Sequence, residues 1–227
     1  MSVLLWQSPA TAANDEQERE EEEDEFGEEL VWIDARAGYS AMDLVVFEAH
    51  EGLLTAGLVP SSIGGPAMTA GLGVRLWFIT IGPRKTLTVF DTPEGRQGSF
   101  NLWSADGEIG FRIPLGRVEP HLTVAGGYSA VGGISDAVEP IGDSYSITGA
   151  NVRAGAGLDV YLTENVSVGA DGTAEALILS RPGVPLAELA SAREVGSISQ
   201  AEAEILEADG AATGYAFTVV GGFGVHF

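Results

Sequence analysis

Glu119, His121 and Thr123 occupy alternate positions, so in an extended chain their side chains share one face. A histidine beside a carboxylate is the pairing from which a general base is built. His50 and His226 fall at a loop position and near the carboxy-terminus, and neither has a metal-ligand spacing with His121. The Gly-x-Gly pairs lie inside alternating segments and open no helix, so they are not nucleotide-binding loops. The simpler reading of His121 is a polar side chain satisfied within a larger network. On that reading the sequence assigns no catalytic residue, no metal site and no cofactor.

The same face carries much more charge. Asp34, Asp106, Glu108, Glu119, Asp159, Asp171 and Glu175 share it with Arg36, Arg75, Arg84, Arg112 and Arg153. If that face is enclosed, these groups must pair, because an isolated buried charge is strongly destabilising. Arginine suits the task through its planar, multi-donor fork. The expectation is an interior filled by ion pairs and hydrogen bonds, with His121 among them and no wide water channel, since eight strands enclose little more than side chains or one small ligand.

The elements that would position these residues follow from a period of two. Gly214 to Phe227 places Tyr215, Phe217, Val219, Phe223, Val225 and Phe227 on one face and Ala216, Thr218, Gly222, Gly224 and His226 on the other. Similar alternation runs from Val31 to Tyr39, Met68 to Leu76, Trp103 to Ile113, Val118 to Tyr128, Asn151 to Leu162 and Val166 to Ile178. Ile79 to Phe90 is a less regular strand, and the total is eight. The boundary before it is open: Trp77 to Ile81 holds no obvious turn residue, so Gly82-Pro83 is an alternative turn. An even number of antiparallel strands closes a barrel with both termini at one end. The expected class is all-β, an eight-stranded antiparallel up-and-down transmembrane barrel over residues 30–227.

Connection lengths alternate as well. Gly116-Arg117 and Thr163-Glu164-Asn165 are short; Glu48 to Gly64, Asp91 to Gly98, Ala130 to Tyr145 and Arg181 to Ala212 are long. Such alternation belongs to transmembrane barrels, whose two ends meet different compartments. The last long connection has helical spacing at Leu186, Leu189 and Ala190 and again at Ile198, Ala201, Ile205 and Leu206, with Ser197 or Ser199 as a cap. It reads as a tolerated insertion, with a surface contact or lid as the functional alternative. Its acidity could also attract divalent cations.

Composition is consistent with this picture. The 227 residues include 31 glycines, no cysteine and a net charge of -22, which leaves no disulfide framework and no thiol chemistry. Eleven acids and one arginine lie between Asn14 and Glu29, a self-repelling run read as a disordered tail. Residues 1–13 contain a short apolar run and Ala10-Thr11-Ala12, read as the remnant of a signal peptide without its basic front. No basic cluster exists to neutralise phosphates, so nucleic acid is not an expected partner. No segment has the roughly 18 to 20 apolar residues of a membrane-crossing helix.

A soluble barrel would alternate too, with its oily face inward. Its wet exterior would then be rich in glycine, including Gly71, Gly73, Gly110, Gly155 and Gly157, which have poor strand propensity and specify register weakly. Inside a narrow barrel the same glycines leave room for large polar neighbours. With its final strand GYAFTVVGGFGVHF and the stretches Gly107 to Arg112 and Gly155 to Tyr161, the chain resembles bacterial outer-membrane β-barrels of the small eight-stranded OmpA-like type. The resemblance implies recognition of Tyr215, Phe217, Phe223, Val225 and Phe227 by the barrel-assembly machinery. It also implies the outer membrane of a Gram-negative bacterium, with its lipid as partner, both termini periplasmic and a monomeric state. Three activities are compatible with it: a structural or surface-exposed role without catalysis, a narrow porin-like channel, or a lipid-modifying enzyme. Enzymes of that last kind place His and Ser at the lipid-facing outer rim, whereas His121 follows a short turn and belongs near the periplasmic end.

Overall fold

In the computed structural model the alternating segments pair on both edges. The structure describes residues 30–46, 62–91, 99–132, 147–194 and 209–227, together with positions 196, 200, 203 and 207. The strands are β1 (Val31–Val46), β2 (Ser62–Leu76), β3 (Ile79–Asp91), β4 (Ser99–Arg112), β5 (Val118–Gly132), β6 (Ile147–Thr163), β7 (Val166–Arg181) and β8 (Gly210–His226). A helix, α1 (Leu186–Glu194), lies between the last two. They form one closed barrel in chain order, every neighbour antiparallel. β8 closes the cylinder on β1, with Trp32 opposite His226 and Ala41 opposite Phe217. Hydrogen bonds from the Leu30 and Val31 amides to the Phe227 carbonyl, 2.8 and 3.0 Å, tie both ends of the described chain into that seam.

Three connections at the end holding Leu30 and Phe227 are tight: Trp77–Phe78, Gly116–Arg117 and Glu164–Asn165. We call this the turn end and the opposite one the loop end. The β2–β3 turn is at Trp77–Phe78 and not at Gly82-Pro83, which lies inside β3 opposite Glu108 and Gly107. Proline lacks the ladder donor, and pairing of β3 with β2 lapses between Gly71–Arg84 and Val74–Ile81. Trp77 takes φ 58°, a left-handed conformation that bulky residues rarely adopt. Five strand boundaries extend further into the long connections than the sequence suggests. β2 begins at Ser62, β3 runs to Asp91, β5 to Gly132 and β7 to Arg181, and β8 begins at Gly210.

The partition between faces is the reverse of an ordinary protein's. Leu72 (55%), Ile109 (59%) and Phe217 (57%) point outward and exposed, whereas Glu119 (1%) and Asp159 (2%) are buried inside. Glycine makes the interior possible. A Cβ on Gly71 would lie 2.8 Å from the Trp32 ring and 3.1 Å from the Arg84 guanidinium carbon.

Candidate functional site

The lumen is the part of this molecule in which polar chemistry is concentrated, and it is built in tiers. Nearest the turn end, Arg75 Nη1 lies 2.6 Å from Glu119 Oε2 while its Nε donates to the Trp77 carbonyl at 2.8 Å. That last bond ties the strained turn to the interior. Arg112 bridges Glu119 Oε1 (2.8 Å) and Asp159 Oδ2 (2.9 Å) from the same tier. Arg36 joins Asp159 at 2.9 Å and Asp171 at 3.0 Å.

His121 sits between two carboxylates. Its Nε2 is 2.7 Å from Asp171 Oδ1 and its Nδ1 3.5 Å from Asp159 Oδ2. Thus His121 is joined to Asp171 on β7 and Asp159 on β6, across the barrel wall, and its close carboxylates are not Glu119. Gly157 clears the space, since a Cβ there would meet His121 Nε2 at 2.5 Å.

At mid-height Arg84 makes a four-point bridge, to both oxygens of Asp34 (3.0 and 2.7 Å) and both of Glu108 (2.7 and 3.2 Å). Above it Arg153 reaches Glu175 (3.0 Å), Asp106 (3.1 Å), Thr86 Oγ1 (2.9 Å) and Ser104 Oγ (2.9 Å). Asn151 donates to Asp106 (2.8 Å) and Glu175 (2.6 Å). Each of the charged lumen residues named from the sequence thus has an ionic partner across strands, and each of the five arginines spans at least two polar groups. A cavity of about 20 Å³ bordered by Arg84, His121, Arg153 and a ring of threonines remains between the tiers. That is room for about one water molecule.

Two groups of lumen residues lie outside what the sequence pointed to. One is aromatic and polar: the Trp32 ring packs beneath Arg84 and Arg112, 5.6 and 6.0 Å from centroid to guanidinium. His226 stacks on Tyr161 at 4.9 Å with its Nε2 2.9 Å from Ser167 Oγ. The other group corrects the expectation of a lumen filled throughout by ion pairs and hydrogen bonds. At the loop end the interior is an apolar plug of Met42, Phe90, Leu102, Leu177, Leu179 and Ala216, with Ile63, Val131 and Ile147 against it. The signal was present where alternation gives way to unbroken apolar runs, as in Leu177-Ile178-Leu179 and Val89-Phe90.

The remaining sequence expectations are placed as follows. Tyr215, Phe217 and Phe223 face outward and exposed on β8, Val225 is half-buried, and Phe227 closes the seam. Leu186, Leu189 and Ala190 are on α1, where Leu189 is buried and the other two are exposed. The residue runs 1–13 and 14–29, and His50, Ser197, Ile198, Ser199, Ala201, Ile205 and Leu206, lie outside the described residues. Among the described residues no group of His, Asp and Glu side chains is arranged to hold a metal ion.

No protein-family model matches the sequence, and no curated protein does. Among solved structures the chain is similar to Neisserial surface protein A. That match has TM-score 0.51 and 11% identity over 87% of this chain and 97% of the other. The outer membrane protein OprG from Pseudomonas aeruginosa matches with TM-score 0.49 and 10% identity, covering 89% and 98%. The first likeness is one of fold. The chain is a closed eight-stranded antiparallel β-barrel, a fold it shares with Neisserial surface protein A.

Proposed function

We propose that this chain is an integral outer-membrane barrel of a Gram-negative bacterium. On this reading its lumen is closed, and its role is structural or surface-exposed without catalysis. The observation that carries this reading is the inversion of burial. An exterior of exposed Leu, Ile, Val and Phe around an interior of paired Asp, Glu and Arg is unfavourable in water and favourable in acyl chains. Aromatic side chains bound the outer band. Trp77, Phe78, Phe111, Phe223 and Phe227 lie toward the turn end; Tyr39, Trp103, Tyr128, Tyr215 and Phe217 lie toward the loop end. From Phe111 to Trp103 is about 26 Å along the strand, or about 20 Å along the axis at a usual tilt, comparable to the apolar band of such barrels. Both termini then lie on the periplasmic side with the tight turns, the C-terminal strand engages the assembly machinery, and the protein works as a monomer.

Extraction from outer membranes and unboiled gel migration test the membrane reading. Migration that changes on boiling supports it, and recovery in the soluble fraction would overturn it. Single-channel recording tests the closed lumen: silence is expected, because the ionic tiers and the apolar plug both fill the cross-section. Stable conductance would favour the narrow channel instead. His121→Ala with unchanged lipid composition in cells is expected, since His121 is held between Asp159 and Asp171; loss of a lipid modification would establish an enzyme.

A further inference from the structure

Among the described strand residues, one cation faces outward. Lys85 is the only lysine of the chain. It faces outward from the middle of β3, exposed, while its neighbour Arg84 enters the lumen. Its register partners are Ala70 on β2 and Ala105 on β4. The ammonium lies 6.0 Å from the ring centroid of Trp103, which packs against Tyr128 at 5.6 Å. Trp103 stands toward the loop end, so the side chain climbs from mid-height to the aromatic boundary, the path by which lysine lifts its charge out of hydrocarbon. Among the described residues no carboxylate comes within ion-pair distance of it. A lysine placed there is unfavourable to an inert lipid-facing wall.

The surface below the ammonium has a second feature. Gly107 and Gly126 are cross-strand partners on β4 and β5 and face outward. Inward glycines are required by crowding, but a Cβ on Gly107 would meet nothing within 4 Å, and one on Gly126 only the Asn151 carbonyl at 3.5 Å. Glycine weakens a strand, and the barrel's own packing does not call for it here. Together with Ala105 these positions form a shallow channel descending from Lys85.

We infer that Lys85, Trp103 and this channel form a docking site for a phosphate-bearing lipid of the leaflet on the loop side. The ammonium takes the phosphate at the aromatic boundary, and one acyl chain lies along Ala105, Gly107 and Gly126. The inference rests on the reading of the outer wall as lipid-facing. Charge complementarity selects the occupant: a zwitterionic lipid offers its phosphate less openly, and an acyl chain alone has no use for a cation.

The test is native mass spectrometry of the full chain released from phosphatidylcholine nanodiscs doped with phosphatidylglycerol. The wild type is expected to retain about fivefold more of the anionic lipid than Lys85→Gln does. Gly107→Val, which the open space tolerates, is expected to reduce retention while leaving unboiled gel migration unchanged. Inorganic phosphate at matched concentration is expected not to displace the lipid. Equal retention by wild type and Lys85→Gln would overturn the site, as would displacement by inorganic phosphate. A chain that never enters nanodiscs would instead refute the membrane reading on which the site stands.

Discussion

Arg36 and Asp159, 123 residues apart in the chain, meet in the lumen with Nη2 2.9 Å from Oδ1. Asp159 also accepts from Arg112 and faces His121, so three basic side chains converge on one carboxylate. Removing one member of a buried pair leaves its partner's charge uncompensated, which costs about 3–5 kcal/mol. Asp159→Ala is therefore expected to lower stability by about that amount in urea unfolding from vesicles, and Asp159→Ala with Arg36→Met by less than the sum of the singles. Additive losses would mean that the contact carries no coupling.

The plug and the ionic tiers occupy the lumen at successive heights. Phe90, fully buried at 0% exposure, is expected to cost about 3–5 kcal/mol on truncation to Ala. Phe90→Ala with Leu177→Ala is nevertheless expected to remain electrically silent, because Arg84 and Arg153 still span the lumen below. Adding Arg84→Ala and Glu108→Ala is expected to produce measurable conductance in planar bilayers. Current through the plug variant alone would show that the tiers do not seal.

Trp77 separates backbone strain from side-chain anchoring. Trp77→Asn and Trp77→Ala both lose the indole, which is 86% exposed, but asparagine tolerates positive φ and alanine does not. The Asn variant is expected to be the more stable by about 1 kcal/mol in urea unfolding, with equal stability counting against strain at φ 58°.

Glycines on the two faces of the wall are expected to respond oppositely. A Cβ at Gly157 would press on His121 and Asp171, whereas one at Gly172 meets nothing within 4 Å. Gly157→Ala is expected to destabilise by about 1–3 kcal/mol. Gly172→Ala is expected to be neutral or to stabilise by about 0.4–1 kcal/mol through a less flexible unfolded chain. Thermal unfolding of the two variants side by side checks the contrast, and equal effects would contradict it.

Strand number, face assignment and the identity of the lumen charges could be read from local pattern, because the two faces of a strand are set by a period of two wherever the strand lies. Val31 to Ala37 and Tyr215 to Gly221 alternate in the sequence and alternate in burial. Which arginine meets which acid could not be read. Arg36 lies 123 residues from Asp159, and Arg84 lies 50 from Asp34. Those meetings depend on strand stagger and on closure of β8 against β1, which bring distant side chains to one height. The plug at Phe90, Leu177 and Leu179 was obscured for a related reason: alternation identifies a buried face by its contrast with the other, and along Val89-Phe90 and Leu177-Ile178-Leu179 both faces are apolar. Lys85 shows the same division. Its outward direction is fixed by parity with Ile81 and Val89, but only the folded sheet brings Trp103 over its ammonium and the open glycines beneath it.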